Sequence, residues 1–195
     1  MPLTAEQVLA RVEREGFKAF RNGNWDLNIV GFRKENGEPN KFDDCCYVVY
    51  RDDSGVWQAR RYVITTDPGL YWLQNPGRVA GTAILKEGQY RGCWQLGLHK
   101  GEKPALVQIK PVTVYRDRDK DGQHDMDPTR TETGLFGINL HRAGTNSTNV
   151  DKWSAGCQVW AGEAEFEHFL SVCRQQISKR NWSTFTYTLL LGERA

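Results

Sequence analysis

A cysteine and a histidine at the two ends of one polar excursion are the residues best placed to do covalent chemistry. Gly137-Ile-Asn-Leu-His141-Arg-Ala-Gly144 leaves what reads as a strand, a polar stretch follows over 145–152, and the chain returns as Trp153-Ser-Ala-Gly-Cys157-Gln-Val-Trp160. Such an excursion can set imidazole and thiol side by side across neighbouring β segments, and a thiol near its ordinary pKa needs a base of that kind to react at neutral pH. Cys157 is therefore expected to be an activated thiolate nucleophile with His141 as its base. Ala155-Gly156 allow a tight turn, which would leave the N–H groups of Gly156 and Cys157 pointing at an oxyanion. Ser154 adds a hydroxyl, and Trp153 stands beside it at the loop's return. The competing expectation is a Cys157 that fills space as a small apolar residue and a His141 satisfied within its loop.

These residues resemble the L,D-transpeptidase catalytic domains (YkuD-like), whose motif is a histidine, a spacer, then Ser/Thr-His-Gly-Cys. His141 falls on the family's histidine, Ser154 on its Ser/Thr, Gly156 on its glycine and Cys157 on its nucleophile, within a resemblance that spans roughly 82–159. Upstream, Ile84-Leu-Lys-Glu-Gly-Gln-Tyr90 weakly echoes a further family segment. Ala155 replaces the family's second histidine, Val159 stands where Asn or Arg is common, and the spacer is slightly short. Gln158 or Arg142 would then supply the missing polar contact to substrate, and the backbone carbonyl of Arg142 would orient the His141 ring. The resemblance implies a thioacyl enzyme formed at Cys157 on peptidoglycan stem peptides, with no cofactor required for catalysis. Capture by an amine would be transpeptidation; capture by water would be carboxypeptidase or endopeptidase action, the version favoured here.

Chain order separates this pattern from papain-like and NlpC-type peptidases, in which cysteine precedes histidine. A zinc amidase using His99, His124, His141 and Cys157 is a rival, although no His-x-x-x-His or Cys-x-x-Cys spacing supports it. Another rival is a non-catalytic cell-wall-binding module that stacks glycan on Trp72, Trp94, Trp153 and Trp160. Tryptophans are also ordinary strand packing, and that reading is preferred for most of the seven in the chain.

Asp117-Arg-Asp119-Lys-Asp121-Gly122-Gln-His-Asp125 reproduces the first part of a calcium loop, with carboxylates at alternate positions and glycine at the sharp turn. Pro128 replaces the bidentate glutamate that would complete an EF-hand. The expectation is a structural Ca2+ held by these four aspartates, set against a solvated turn neutralised by Arg116, Arg118 and Lys120.

Around these motifs, short segments rich in Val, Ile, Tyr, Trp and Thr alternate with Gly, Pro, Asn and Asp clusters, the texture of a mostly β domain. Strands are expected at 27–34, 46–51, 57–65, 80–85, 88–98, 105–115, 136–140, 157–160 and 184–191, in a curled sheet, sandwich or barrel. Thr4-Ala-Glu-Gln7 has the capping-box pattern and starts a helix over 5–15, and an apolar stripe through Phe166, Phe169, Leu170, Cys173 and Ile177 predicts a second over 164–179. The division is an N-terminal helical appendage, 1–26, and a catalytic domain, 27–195.

With 195 residues and a net charge of +2 from interspersed charges, the chain suits one well-buried core, and no face is built to follow nucleic acid. No apolar run approaches the roughly 20 residues of a membrane span, and the start reads as an amphipathic helix rather than a signal peptide. Synthesis without a signal peptide, action at the bacterial cell wall or periplasm, and delivery by other machinery such as a holin-like partner are the expectations. An odd cysteine count, five, with Cys45 and Cys46 adjacent, points to free thiols, and one of that pair is expected to be buried.

Overall fold

The computed structural model describes residues 2–193. Eight strands close into a barrel: β1 (Asn28–Arg33), β11 (Thr184–Leu191), β5 (Gly88–His99), β6 (Lys103–Gln108), β9 (Leu140–Arg142), β10 (Gln158–Trp160), β3 (Trp57–Thr65) and β2 (Asp44–Arg51), in that order. A second sheet of three strands joins β4 (Thr82–Leu85), β7 (Val112–Asp117) and β8 (Thr131–Gly134). Three helices complete the described residues: α1 (Ala5–Arg14), α2 (Leu70–Gln74) and α3 (Glu163–Arg180). The mostly β architecture with a short N-terminal helix and a later long helix is as expected.

Side-chain alternation along β1 and β2 builds two cores, one on each face of the wall. Ile29, Cys46 and Val48 face the larger core, where Phe166, Phe169, Leu170 and Cys173 of α3 meet Trp160, Tyr62 and Trp94. Val30, Phe32, Cys45, Tyr47 and Val49 face the other way and are covered by Val8, Leu9 and Val12 of α1. Period-two alternation therefore buries both Cys45 and Cys46, where only one was expected to be buried, because both faces of this strand are covered. All five cysteines are free.

Two of the expected strands differ for local reasons, and α2 and β8 were not expected at all. The segment expected as one strand over 105–115 is two strands in different sheets, separated at Pro111, which has no N–H to continue a ladder. The strand expected at 136–140 starts only at Leu140, and its approach, 136–139, is irregular backbone held by side chains: Gln108 Oε1 accepts from the N–H groups of Phe136 and Ile138. At one end of the barrel Arg33 is fully buried, donating to the carbonyls of Thr66 and Leu85 and paired with Asp67 and Glu87.

Candidate active site

The distance in sequence between His141 and Cys157 follows from topology. β9 and β10 are parallel neighbours, with Val159 opposite His141 and Gln158 opposite Leu140. Parallel neighbours cannot be joined by a tight hairpin, so the chain must travel back along the outside before it re-enters the sheet. The excursion 143–157 is that crossover. Because the side-chain period is two, Cys157 and Val159 share the face that carries His141 and Asn139, while Gln158 and Trp160 point the other way. Cys157, Val159 and Ala143 pack together on the site face, with Phe42 against them.

That alternation corrects the expectation for Gln158. Its side chain is fully buried, accepts from the Tyr187 hydroxyl at 2.9 Å and donates to Thr66 O, so it braces the barrel and meets no substrate. Val159, at the position where the resembled family commonly has Asn or Arg, is buried apolar packing.

The turn that delivers the cysteine is stapled from within. Ser154 is fully buried; its Oγ donates to the Cys157 carbonyl at 2.8 Å and accepts the Gly156 N–H at 3.1 Å. Ser154 therefore holds the loop shut and does not reach the reacting atoms. The Gly156 amide, expected to face an oxyanion, is already committed to that hydroxyl. The Cys157 amide has no acceptor among the described residues. Gly156 itself has φ +117°, and a Cβ there would lie 2.2 Å from the Ala83 carbonyl oxygen. Glycine is required on both counts.

His141 is buried, 4% exposed, and its Nδ1–H faces the carbonyl oxygen of Arg142 at 2.9 Å. Nε2 is left as a buried nitrogen with no hydrogen-bond partner. A buried polar atom without a partner is costly, and in a native fold it demands a role. One ring nitrogen of His141, one of His99 and the Cys157 sulfur lie within 4.8 Å of one another. The Arg142 side chain turns away, pairing with Glu163 at the start of α3.

The resting thiol differs from expectation. Cys157 is 8% exposed, its S–H donates to the Gly137 carbonyl, and the Asn139 N–H reaches its sulfur at 3.5 Å. Burial raises the thiol to about 11, and only the Asn139 amide and Lys100 oppose that. Burial likewise lowers His141 to about 3, with the neighbouring His99 adding to the effect. At neutral pH the pair is thus thiol and neutral imidazole rather than a preformed thiolate and imidazolium. An unionised thiol next to a base with a free lone pair can still react if the proton leaves as the sulfur attacks.

Beside His141 opens a cavity of about 190 Å3 lined by His99, Lys100, Glu102, Lys103, His141, Arg142, Lys152 and Trp153. Trp153 is partly exposed there, with Lys103 Nζ 5.6 Å from its ring centroid. Of the other tryptophans expected in the groove, Trp94 and Trp160 are fully buried core residues, whereas Trp72 is partly exposed and its Nε1–H donates to the Lys152 carbonyl at 3.2 Å. The lysines and Asn139 carry no motif and were missed in the sequence, although Asn139 sits two residues before His141 and so on the same face.

In the aspartate loop the carboxylates bond the loop's own backbone, and Asp117 Oδ1 is a buried oxygen without a partner. Asp119 and Asp121 each accept an amide of the loop itself, Asp117 Oδ2 accepts the Asp125 N–H, and burial raises the carboxyls of Asp117 and Asp125. Among the described residues, His99, His141 and Cys157 are the only three metal-ligating side chains whose donor atoms converge. His124, a ligand in the zinc alternative, stands apart against Pro68 and Asp67. No described helix is long and apolar enough to cross a membrane. Comparison with family models, curated proteins and solved structures finds no match.

Proposed function

We propose that the protein is a cysteine-dependent acyl-transfer enzyme acting on peptidoglycan stem peptides, an L,D-transpeptidase-like (YkuD-like) catalyst in which water is the favoured acceptor. The observation that carries this reading is His141: a buried imidazole whose Nδ1 is fixed by the Arg142 carbonyl, whose Nε2 has no partner, and which shares one cluster of donor atoms within 4.8 Å with the Cys157 sulfur. Fixing Nδ1–H dictates the tautomer, so the lone pair at Nε2 is the one offered to the thiol proton.

In this reading the Cys157 sulfur attacks the carbonyl carbon of an L-centred residue while Nε2 of His141 takes the thiol proton. Collapse of the tetrahedral adduct breaks the C–N bond, the same proton goes to the departing amine, and a thioester remains on Cys157. Water then gives a proton to the neutral His141 as its oxygen bonds the thioester carbon, the C–S bond breaks with its electrons on sulfur, and His141 returns the proton to Cys157 as the acid leaves; an amine in place of water would give a new peptide bond. Lys100, Lys103 and Lys152 make the cavity mouth cationic, which suits a peptide rich in free carboxylates.

Digestion of purified muropeptides followed by mass spectrometry tests the proposal. Shortened stems with wild-type protein, and none with Cys157→Ala or His141→Ala, are expected. New cross-links between diamino acid residues would make the enzyme a transferase instead, and unchanged muropeptides would overturn the proposal.

A further inference from the structure

The structure contains a second imidazole at the thiol, and its hydrogen-bonding state is fixed by its neighbours. The Gln108 N–H donates to Asn139 Oδ1 at 3.0 Å, which determines the orientation of that amide. Its NH2 therefore faces His99 Nδ1 at 3.1 Å and donates to it. A neutral imidazole that accepts at Nδ1 must carry its hydrogen on Nε2. His99 also stacks on His141, with ring centroids 4.0 Å apart and planes inclined by 21°, and both rings line the same cavity.

The same lock disfavours His99 as a metal ligand. Coordination through Nε2 would move the hydrogen to Nδ1 and set two donors face to face at Asn139; coordination through Nδ1 would displace the amide. With these partners the two neutral rings carry one lone pair, at His141 Nε2, and one N–H donor, at His99 Nε2.

We infer that His99 is a further catalytic residue, the side-chain donor to the oxyanion formed when Cys157 attacks a carbonyl, and that Asn139 is the positioning residue that keeps its hydrogen on Nε2. This rests on the acyl-transfer reading. As the S–C bond forms, the carbonyl π pair moves onto oxygen, and the His99 Nε2–H hydrogen-bonds that oxygen beside the Cys157 amide. Collapse returns the pair to the carbonyl and expels the leaving group with its bonding electrons. His99 thereby supplies the donor that Gly156 does not, since the Gly156 N–H is held by Ser154.

Two reactions of the same sulfur separate this role from others. Acylation by p-nitrophenyl acetate passes through an oxyanion, whereas alkylation by iodoacetamide does not. His99→Phe keeps a stacking ring without a donor; it should slow acylation by about 100-fold and leave alkylation within about twofold, and His99→Gln should restore part of the acylation rate. Undiminished acylation in His99→Phe, or equal losses in both reactions, would overturn the inference. Asn139→Asp tests the positioning role. Its carboxylate would accept from Nδ1–H, so acylation relative to wild type should fall as rising pH removes the hydrogen from Nε2; a wild-type pH profile would contradict the assignment. A wild-type thiol that alkylates but accepts no acyl group would instead sink the acyl-transfer reading beneath it.

Discussion

The Nδ1–H of His141 faces the carbonyl oxygen of Arg142, the next residue in the chain, at 2.9 Å. One backbone contact thus decides the tautomer of the buried imidazole in the Cys157 cluster. Because burial also holds that ring neutral and the thiol protonated, the pair begins uncharged and separates charge only during reaction.

Alkylation kinetics should show this directly. With the thiol raised to about 11, the rate of Cys157 with iodoacetamide should climb by about tenfold per pH unit between about pH 6 and about pH 9. A plateau across neutral pH, measured by mass spectrometry of the Cys157 peptide, would reveal a thiolate–imidazolium pair instead.

Stability should carry the signature of the neutral histidine. His141 falls from 6.5 to about 3 on folding, so between those values the unfolded chain takes a proton that the folded chain refuses. Its contribution to stability is therefore lost as pH falls through that window, with a slope of up to about 1.4 kcal/mol per pH unit. Asp44, raised mainly by burial and then by Asp67, acts in the opposite sense, so the useful quantity is the difference between wild type and His141→Gln. Urea denaturation at a series of pH values should show that difference shrinking from pH 7 towards pH 4 as the wild type alone loses this contribution; a constant difference would refute it.

Ser154→Ala removes both hydrogen bonds that staple the turn and leaves the Gly156 amide buried without a partner. A loss of about 1–3 kcal/mol in urea denaturation is expected. Turnover should drop with little change in KM, since the hydroxyl positions Cys157 rather than substrate.

Gly156→Ala should be worse. An added methyl meets the Ala83 carbonyl at 2.2 Å, and the backbone must also keep φ at +117°. Destabilisation above about 2 kcal/mol is expected, with loss of soluble protein as the first sign.

Charge at the cavity mouth should set affinity for carboxylates. Lys100→Gln and Lys103→Gln are each expected to raise KM for a stem peptide by about 2- to 5-fold while kcat holds, and added salt should erase the difference. An amidated peptide lacking free carboxylates should be indifferent to both changes.

The sequence by itself determined that His141 and Cys157 would be brought together and where most of the secondary structure lies. Histidine, then a polar excursion, then Ser-Ala-Gly-Cys can be read without a structure because local turn geometry and thiol reactivity depend on neighbouring residues. For the same reason the N-terminal capping box, the stripe of α3 and the strand at Trp57–Thr65 were legible. Only the tertiary structure decided what surrounds the sulfur. Parallel pairing of β9 with β10 turned Gln158 into the barrel and Cys157 outward beside Asn139. Burial made the thiol a resting acid rather than a thiolate. His99 arrives from another strand, some forty residues earlier in the chain than His141, and its hydrogen is placed by Asn139 and Gln108. These are long-range contacts whose outcome rests on barrel closure, and no local spacing encodes them.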